Sequence, residues 1–403
     1  MNANPADLPS LPPGALAGLK VLDLSRVLAG PWASQMLGDL GADVVKVERP
    51  GAGDDTRSWG PPWVGAPADG GPRQAAYFQC ANRNKRSIAI DMATPEGQAQ
   101  IRQLALKADV VLENFKLGGL KAYGLDADSL RALNPRLIYC SITGFGQTGP
   151  YAARAGYDFL IQGMGGLMSL TGRADSEDGA GPQKVGVALV DIMTGLYASI
   201  AVLAALNHRH TTGQGQHIDL ALLDVQVATL ANQAANYLSS GVAPRRMGNA
   251  HPNIVPYQDF PTADGDMILA IGNDGQFAKF CAVAGHPEWA ADARFASNPA
   301  RVANRAVLIP LLRQATVMKS TAAWITALEA AGVPCGPINR LDQVFADPQV
   351  LARQMRIELP HPTLGPVPLV ANPIRLAASP VQYRQAPPTL GEHTAEVLAD
   401  WLG

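Results

Sequence analysis

Short apolar, β-branched runs alternate with helix-like stretches through residues 19–143, which predicts an α/β fold: a Rossmann-like large domain with a parallel, doubly wound sheet. Three observations carry this. LKVLDLS, PWASQMLGDLGA and DVVKVE read as strand, helix and strand within residues 19–48, close to the shortest span a parallel crossover allows. The alternation then repeats up to residue 143. Beyond about residue 245 the pattern changes to isolated short strands among helices, which predicts a smaller α+β domain.

Taken in order, residues 1–17 are Pro-rich and read as a loose arm. The strand at 19–25 is followed by a helix at 31–42, closed by Gly41, and by a strand at 43–48. Thr94-Pro95 opens a helix over 94–107, with proline in its first turn. ADVVLEN (108–114) is a strand, 127–133 a helix and RLIYCSIT (136–143) a strand. VGVALV reads as a short β-type run leading into IMTGLYASIAVLAAL at 192–206. That run falls short of the roughly 20 residues needed to span a bilayer, so a buried helix with neighbours on nearly all sides is expected. NHRHTTGQGQ (207–216) reads as a polar turn, followed by strand HIDLAL and one long helix at 222–238. The small domain has a strand at 267–271 and helices at 275–284, 300–316 and 320–331, and a last helix spans 391–402. The expected division is 1–210 for the N-terminal part of the large domain and 211–245 for a linker and helix. The small domain takes 246–345, and 346–403 returns to the large domain.

Composition excludes several classes. Hydrophobic residues make up 47% of the chain, too many for a disordered one. The formal charge is -2, so there is no basic excess for nucleic acid. Four scattered cysteines without a CxxC argue against a disulfide scaffold, a zinc knuckle or a redox pair, and no metal is expected. No basic residue precedes Lys20 and no apolar segment opens the chain, so a cytoplasmic protein off the membrane is expected. GxGxxG, the P-loop, HExxH and GxSxG are all absent. His208 and His210 lie in a polar stretch without carboxylates and read as solvated.

Three features invite chemistry. Asp191 sits in the most apolar stretch, where a β-type run meets a helix. It is either an N-cap or a carboxylate nucleophile in a dry pocket. NRNKRS (82–87) carries Arg83, Lys85 and Arg86, which either bind an anion or form a solvated turn. IGNDGQF (271–277) is either an ordinary turn or a mobile loop over a site.

Together these stretches resemble the class III CoA-transferase family, the formyl-CoA transferase and CaiB/BaiF group. The resemblance runs from about residue 18 to 400. It rests on LAGLKVLDLSRVLAGPWASQMLGDLGADVVKVERPGAGDDTR, NRNKRSIAID, DVVLENF, YCSITGFGQTGP, GYDFLIQGMGGLMSLTG, VALVDIMTGLYA and TGQGQHIDLALLD in that order. It implies that Asp191 attacks an acyl-CoA thioester, forms a mixed anhydride and then carries CoA as an aspartyl thioester. It implies CoA contacts at Val27, Leu28, Ala29, Arg49, Lys85, Arg86, Asn114 and Phe115. A glycine loop, Gly272, Asn273, Asp274, Gly275 and Gln276, is implied to shield the intermediates. Where formyl-CoA transferase has an arginine, this chain has Ala122, so Lys116 or Lys121 is expected to take over that phosphate. The implied fold is an interlocked homodimer with no permanently bound cofactor, using acyl-CoA and a small carboxylic acid as substrates.

The family's racemase branch is the alternative, but its histidine position holds Tyr157, a poor base at neutral pH. VERPGAGDDTR, AGYD, IVPYQ and GVPCGPIN resemble a branch that moves CoA from succinyl-CoA to dicarboxylates such as glutarate or hydroxymethylglutarate. The remote carboxylate then needs cations or donors, and Arg83, Tyr157, Arg246, His251 and Tyr257 are the candidates. Arg246 and His251 serve equally well as residues that only order their loop.

Overall fold

The computed structural model describes residues 12–65 and 73–403, so the expected N-terminal arm lies outside the described residues as far as residue 11. The chain forms two units. The first comprises the described residues up to Leu167, then Val185–Ala235 and Pro348–Gly403. The second comprises Met168–Lys184 and Asn236–Asp347. Residues 168–184 therefore leave the large domain in which the sequence reading placed them.

The first unit is built on six parallel strands: β1 (Lys20–Asp23), β2 (Asp43–Glu48), β3 (Lys85–Ala89), β4 (Val110–Glu113), β5 (Ile138–Thr143) and β6 (His217–Ala221). Their order is β3-β2-β1-β4-β5-β6. This is the doubly wound order in which the chain reverses direction beside β1, and ligands bind outside the carboxyl ends there. Successive strand residues enter opposite cores. Leu22, Val45 and Val111 join one with Ile101, Leu104 and Trp401. Val21, Val44 and Val110 join the other with Ala33, Leu37, Ala198 and Val202. Burial on both faces is why β1, β4 and β5 read as largely apolar runs; β3 (KRSIA) is buried with Lys85, Arg86 and Ser87 in it and was not expected as a strand.

Helices α1 (Ala29–Asp39), α2 (Pro95–Lys107) and α3 (Ala127–Leu133) lie close to their expected places. Thr94 caps α2 by accepting from the Gly97 N–H at 3.0 Å. Helix α4 (Asp158–Met164) leads toward α5 (Leu189–Thr212). VGVALV is not a strand; α5 has already begun at Leu189. The expected polar turn also differs, because α5 absorbs 207–212 and stops only at Gly213, φ 75°.

At 24 residues α5 is the one helix among those described long and apolar enough to cross a membrane, with mean hydropathy 1.9 in its most apolar window. It is instead a wall of the core through Val190, Ala198, Val202 and Ala205. Its opposite side is not covered in the single chain: Tyr197, Ile200 and Leu203 are exposed, Ile200 at 62%. The expectation of neighbours on nearly all sides fails for one chain alone. The long helix expected at 222–238 is two, α6 (Leu222–Ala228) and α7 (Ala231–Ser240), with Ala231 at φ 45° in the break.

The second unit has a three-stranded antiparallel sheet of β7 (Tyr257–Pro261), β8 (Asp266–Ala270) and β9 (Cys335–Pro337). Helices α8 (Asp274–Ala284), α9 (Asn298–Ala303), α10 (Arg305–Thr316) and α11 (Thr321–Ala331) belong to it, so the expected helix at 300–316 is broken at Asn304. Phe260, Met267, Phe277, Phe280 and Trp324 form its core. The chain then returns to the first unit, where α12 (Thr394–Leu402) buries Val397 and Trp401 against the sheet.

Candidate active site

The turn after β1 is held in an uncommon shape. Val27 has φ 70°, a left-handed conformation that costs a β-branched residue on the order of 1–2 kcal/mol. Two side chains impose it. Asn114, just past β4, accepts from the Arg26 N–H at 2.9 Å and donates to the Arg26 carbonyl at 2.7 Å. Asp54 accepts from the Val27 N–H at 3.2 and 3.3 Å. Burial pushes the Asp54 carboxyl up, but Lys46 and Thr56 outweigh it and hold the group down at about 2. Strain of this kind persists where the surroundings over-determine it, commonly at functional sites.

Beneath the turn lies a buried ionic floor. Lys46 pairs with Asp54 at 2.9 Å and donates to the Ser25 carbonyl at 2.7 Å. Lys85 pairs with Asp23 at 3.2 Å and donates to the Pro31 carbonyl and Asn82, each at 2.9 Å. Burial pulls the Lys85 ammonium down to about 8 against the pull of Asp23. The expectations for NRNKRS are corrected accordingly. Lys85 is fully buried, and its three bonds leave no donor for a phosphate. Arg86 is taken by Asp43, Glu396 and Asp400. Arg83 is buried against Asp39 and the Val370 carbonyl, so it cannot read a substrate carboxylate. The segment lies beneath other elements instead of forming a surface turn.

Asp191 is the third residue of α5, and Ala188 holds the cap position without a side-chain bond, so Asp191 is no N-cap. The capping carboxylate is Asp158, at the start of α4. It accepts from the Val190 N–H at 2.8 Å, more weakly from the Asp191 N–H at 3.4 Å, and from Gln162 at 2.7 Å. The helix N-terminus thus stabilises Asp158. Among the described residues no donor and no cation is bonded to the Asp191 carboxylate. Burial first, and the charge of Asp158 second, push it up to about 7. Gly195, one turn on, lets α5 press against the start of α1, since an added Cβ would lie 2.7 Å from the Ala29 carbonyl oxygen.

A cleft of about 360 Å³ joins these parts. Asp191, Val27, Leu28, Ala29, Asn114, Phe115 and Tyr157 line it, with Arg26, Lys116 and Arg154 as its cations. Arg49 lies in a neighbouring cleft of about 220 Å³ with Leu24, Ile90 and Met92, and Arg26 and Phe115 border both. Lys121 borders a third with Lys116. Of the expected site residues, the first unit thus brings together Asp191, the Val27–Ala29 turn, Asn114, Phe115 and Tyr157.

The remaining candidates lie in the second unit. Arg246 is paired with Asp175. His251 stacks edge-on to Tyr257 at 5.4 Å, and burial and Arg305 pull its imidazole down. The glycine segment is a helix cap: Asn273 accepts from the Gln276 N–H at 2.9 Å, and Gln276 accepts from the Gly272 N–H at 2.8 Å. Asp274 pairs with the buried Arg301 at 2.8 Å. Neither Gly272 nor Gly275 has positive φ.

Sequence reasoning missed Asp158 and Arg154. The first stood beside the examined Tyr157, four residues before Gln162, a spacing that marks a side-chain pair on a helix. The second sits in an aromatic, Gly-rich turn that carried no motif.

The family model described as CoA-transferase family III matches residues 16–394. The chain is 54% identical over 394 residues to succinate–glutarate CoA-transferase of Agrobacterium fabrum, covering 98% of this chain and 97% of that protein. It is 44% identical over 387 residues to human succinyl-CoA:glutarate CoA-transferase, covering 96% of this chain and 86% of that one. A crystal structure of a CaiB/BaiF family protein from Brucella suis matches with TM-score 0.84 and 55% identity, covering 96% of this chain and 100% of that chain. The chain belongs to CoA-transferase family III.

Proposed function

We propose that this enzyme moves CoA from succinyl-CoA to glutarate through covalent intermediates on Asp191. The observation that carries the reading is an unpaired carboxylate, raised to about 7, in the cleft with Val27–Ala29, Asn114 and Phe115. The substrates follow the names of the two relatives above. A carboxylate without hydrogen-bond donors keeps its lone pairs available for attack. Its oxygen attacks the succinyl-CoA carbonyl and CoA thiolate leaves, giving a succinyl–aspartyl anhydride. The thiolate attacks the aspartyl carbonyl and succinate leaves, giving aspartyl-CoA. Glutarate then attacks that thioester and releases thiolate. The thiolate takes the glutaryl group and frees the Asp191 carboxylate. Peptide mass spectrometry after mixing with succinyl-CoA and quenching in acid is expected to find CoA on the peptide containing Asp191. Hydroxylamine should convert that residue to a hydroxamate. An unmodified peptide throughout turnover defeats the reading.

The pH dependence is specific. Asp191 reacts as the anion, so single-turnover adduct formation rises about tenfold per pH unit below 7 and levels off above it. Asp158→Asn keeps an acceptor for the α5 N-terminus and removes the like charge. The inflection should move to lower pH, and an inflection that stays or rises contradicts the assignment. The racemase alternative is weakened because Tyr157 stands at the histidine position and no histidine lines the cleft among the described residues.

The working form in this reading is a homodimer, interlocked as in the resembling family. Tyr197, Ile200 and Leu203 on α5 and Phe159 on α4 leave an apolar face that a second copy would cover. Sedimentation at micromolar concentration should give the dimer mass. A cytoplasmic setting fits four free cysteines.

A further inference from the structure

We propose that Arg154 reads the remote carboxylate of the dicarboxylic substrates, and so makes the cleft selective for acids with a second negative charge. The inference rests on the transferase reading above.

Arg154 lies in the loop between β5 and α4. The base of that loop is pinched shut: a Cβ on Gly144 would lie 2.5 Å from the Gly156 Cα, and one on Gly156 2.4 Å from the Gly144 Cα. The Arg154 N–H donates to the Tyr151 carbonyl at 2.8 Å, which closes a turn. The guanidinium then lies over two rings, 4.7 Å from the centre of Tyr151 and 5.2 Å from that of Phe145. Those rings pack edge-on at 5.6 Å and form an aromatic platform.

A guanidinium held by its face keeps its in-plane N–H groups available. Among the described residues the Arg154 guanidinium pairs with no carboxylate, and its one hydrogen bond is a weak donation to Met164 Sδ at 3.8 Å. It lines the same cleft as Asp191. The other two cations there fit the role less well. Arg26 also lies over a ring, Phe115 at 5.4 Å, but its guanidinium already faces a carboxylate, Asp55 at 3.1 Å. Lys116 has no platform and offers a point charge, whereas a planar carboxylate is best met by a planar fork. Arg83, expected to serve, is locked on Asp39.

The donor and the acceptor present the same group here. Succinyl-CoA keeps one free carboxylate, and glutarate offers one once the other has reacted. Losing a charge-assisted fork should cost about 10²-fold. The test compares two donors on the full-length enzyme: succinyl-CoA, and butyryl-CoA, which has a methyl group in place of the carboxylate. In Arg154→Gln, kcat/KM for the adduct-forming half-reaction with succinyl-CoA should fall about 10²-fold, and that with butyryl-CoA should stay within about threefold. The KM for glutarate should rise.

Arg154→Lys keeps the charge without the fork, and should lose about tenfold with succinyl-CoA only. If Arg154→Gln does not fold, the donor ratio is read on Arg154→Lys, where the wild-type ratio overturns the proposal. An equal loss with both donors also overturns it, because Arg154 would then serve the CoA moiety or the fold. So does a selective loss of succinyl-CoA in Lys116→Ala but not in Arg154→Gln. Failure of the transferase reading itself is distinguishable, since wild-type enzyme would then form no adduct with either donor.

Discussion

Asp191→Asn is expected to lower transfer by about 10⁴-fold or more, because the step that splits one exchange into four disappears with the nucleophile. The change is nearly isosteric and removes a group that accepts no hydrogen bond among the described residues. Folding stability should therefore stay close to wild type or rise slightly, since burial of this carboxylate opposes its charge. No CoA should remain bound covalently after denaturation, while reversible CoA binding, measured by calorimetry, should persist. Transfer at more than about a tenth of the wild-type rate would remove Asp191 from the mechanism. Loss of CoA binding together with activity would place the residue in binding instead.

Lys85→Ala carries the second large effect, and on a different property. It leaves Asp23 in a fully buried position with Lys46 as a remaining cation, removes one of the donors to the Pro31 carbonyl and leaves the Asn82 side-chain oxygen without its donor. Breaking a buried pair from one side costs about 3–5 kcal/mol. The urea midpoint should fall by the corresponding amount with an unchanged slope, and KM for acyl-CoA in the folded fraction should stay within about threefold. A normal midpoint with a tenfold or larger rise in KM would return Lys85 to the phosphate site that the sequence reading assigned it.

These two residues mark the boundary of what the sequence makes legible. Asp191 stood out because a carboxylate inside an apolar run is costly, and that cost is visible locally. Strands β1, β4 and β5 were legible for a similar reason, since burial on both faces favours apolar runs, whereas β3, with Lys85, Arg86 and Ser87 buried, carried no such run and was not expected. Lys85 was misread because its partner Asp23 is 62 positions away, as Arg83 and Asp39 are 44 apart. A run of cations looks alike in solvent and in a core until the fold supplies its counter-ions.

The same limit explains the reach of α5 and the cap at its start. Helix propensity carried α5 through a polar stretch that resembled a turn, and the group that caps it arrives from α4, 32 residues earlier. Arg154 shows the converse case, a cation that pairs with no carboxylate among the described residues, which spacing cannot reveal.

By itself, the sequence determined the alternation of strand and helix, the family resemblance and the candidate nucleophile. Each of these is written in local pattern, by hydrophobic period, turn residues or an isolated charge in an apolar run. Only the tertiary structure decided which cations are spent on internal carboxylates. It also decided which carboxylate caps the helix and which has no bonded donor among the described residues. The reason is that electrostatic pairing and desolvation depend on distance in space, and the fold sets that distance between residues tens of positions apart.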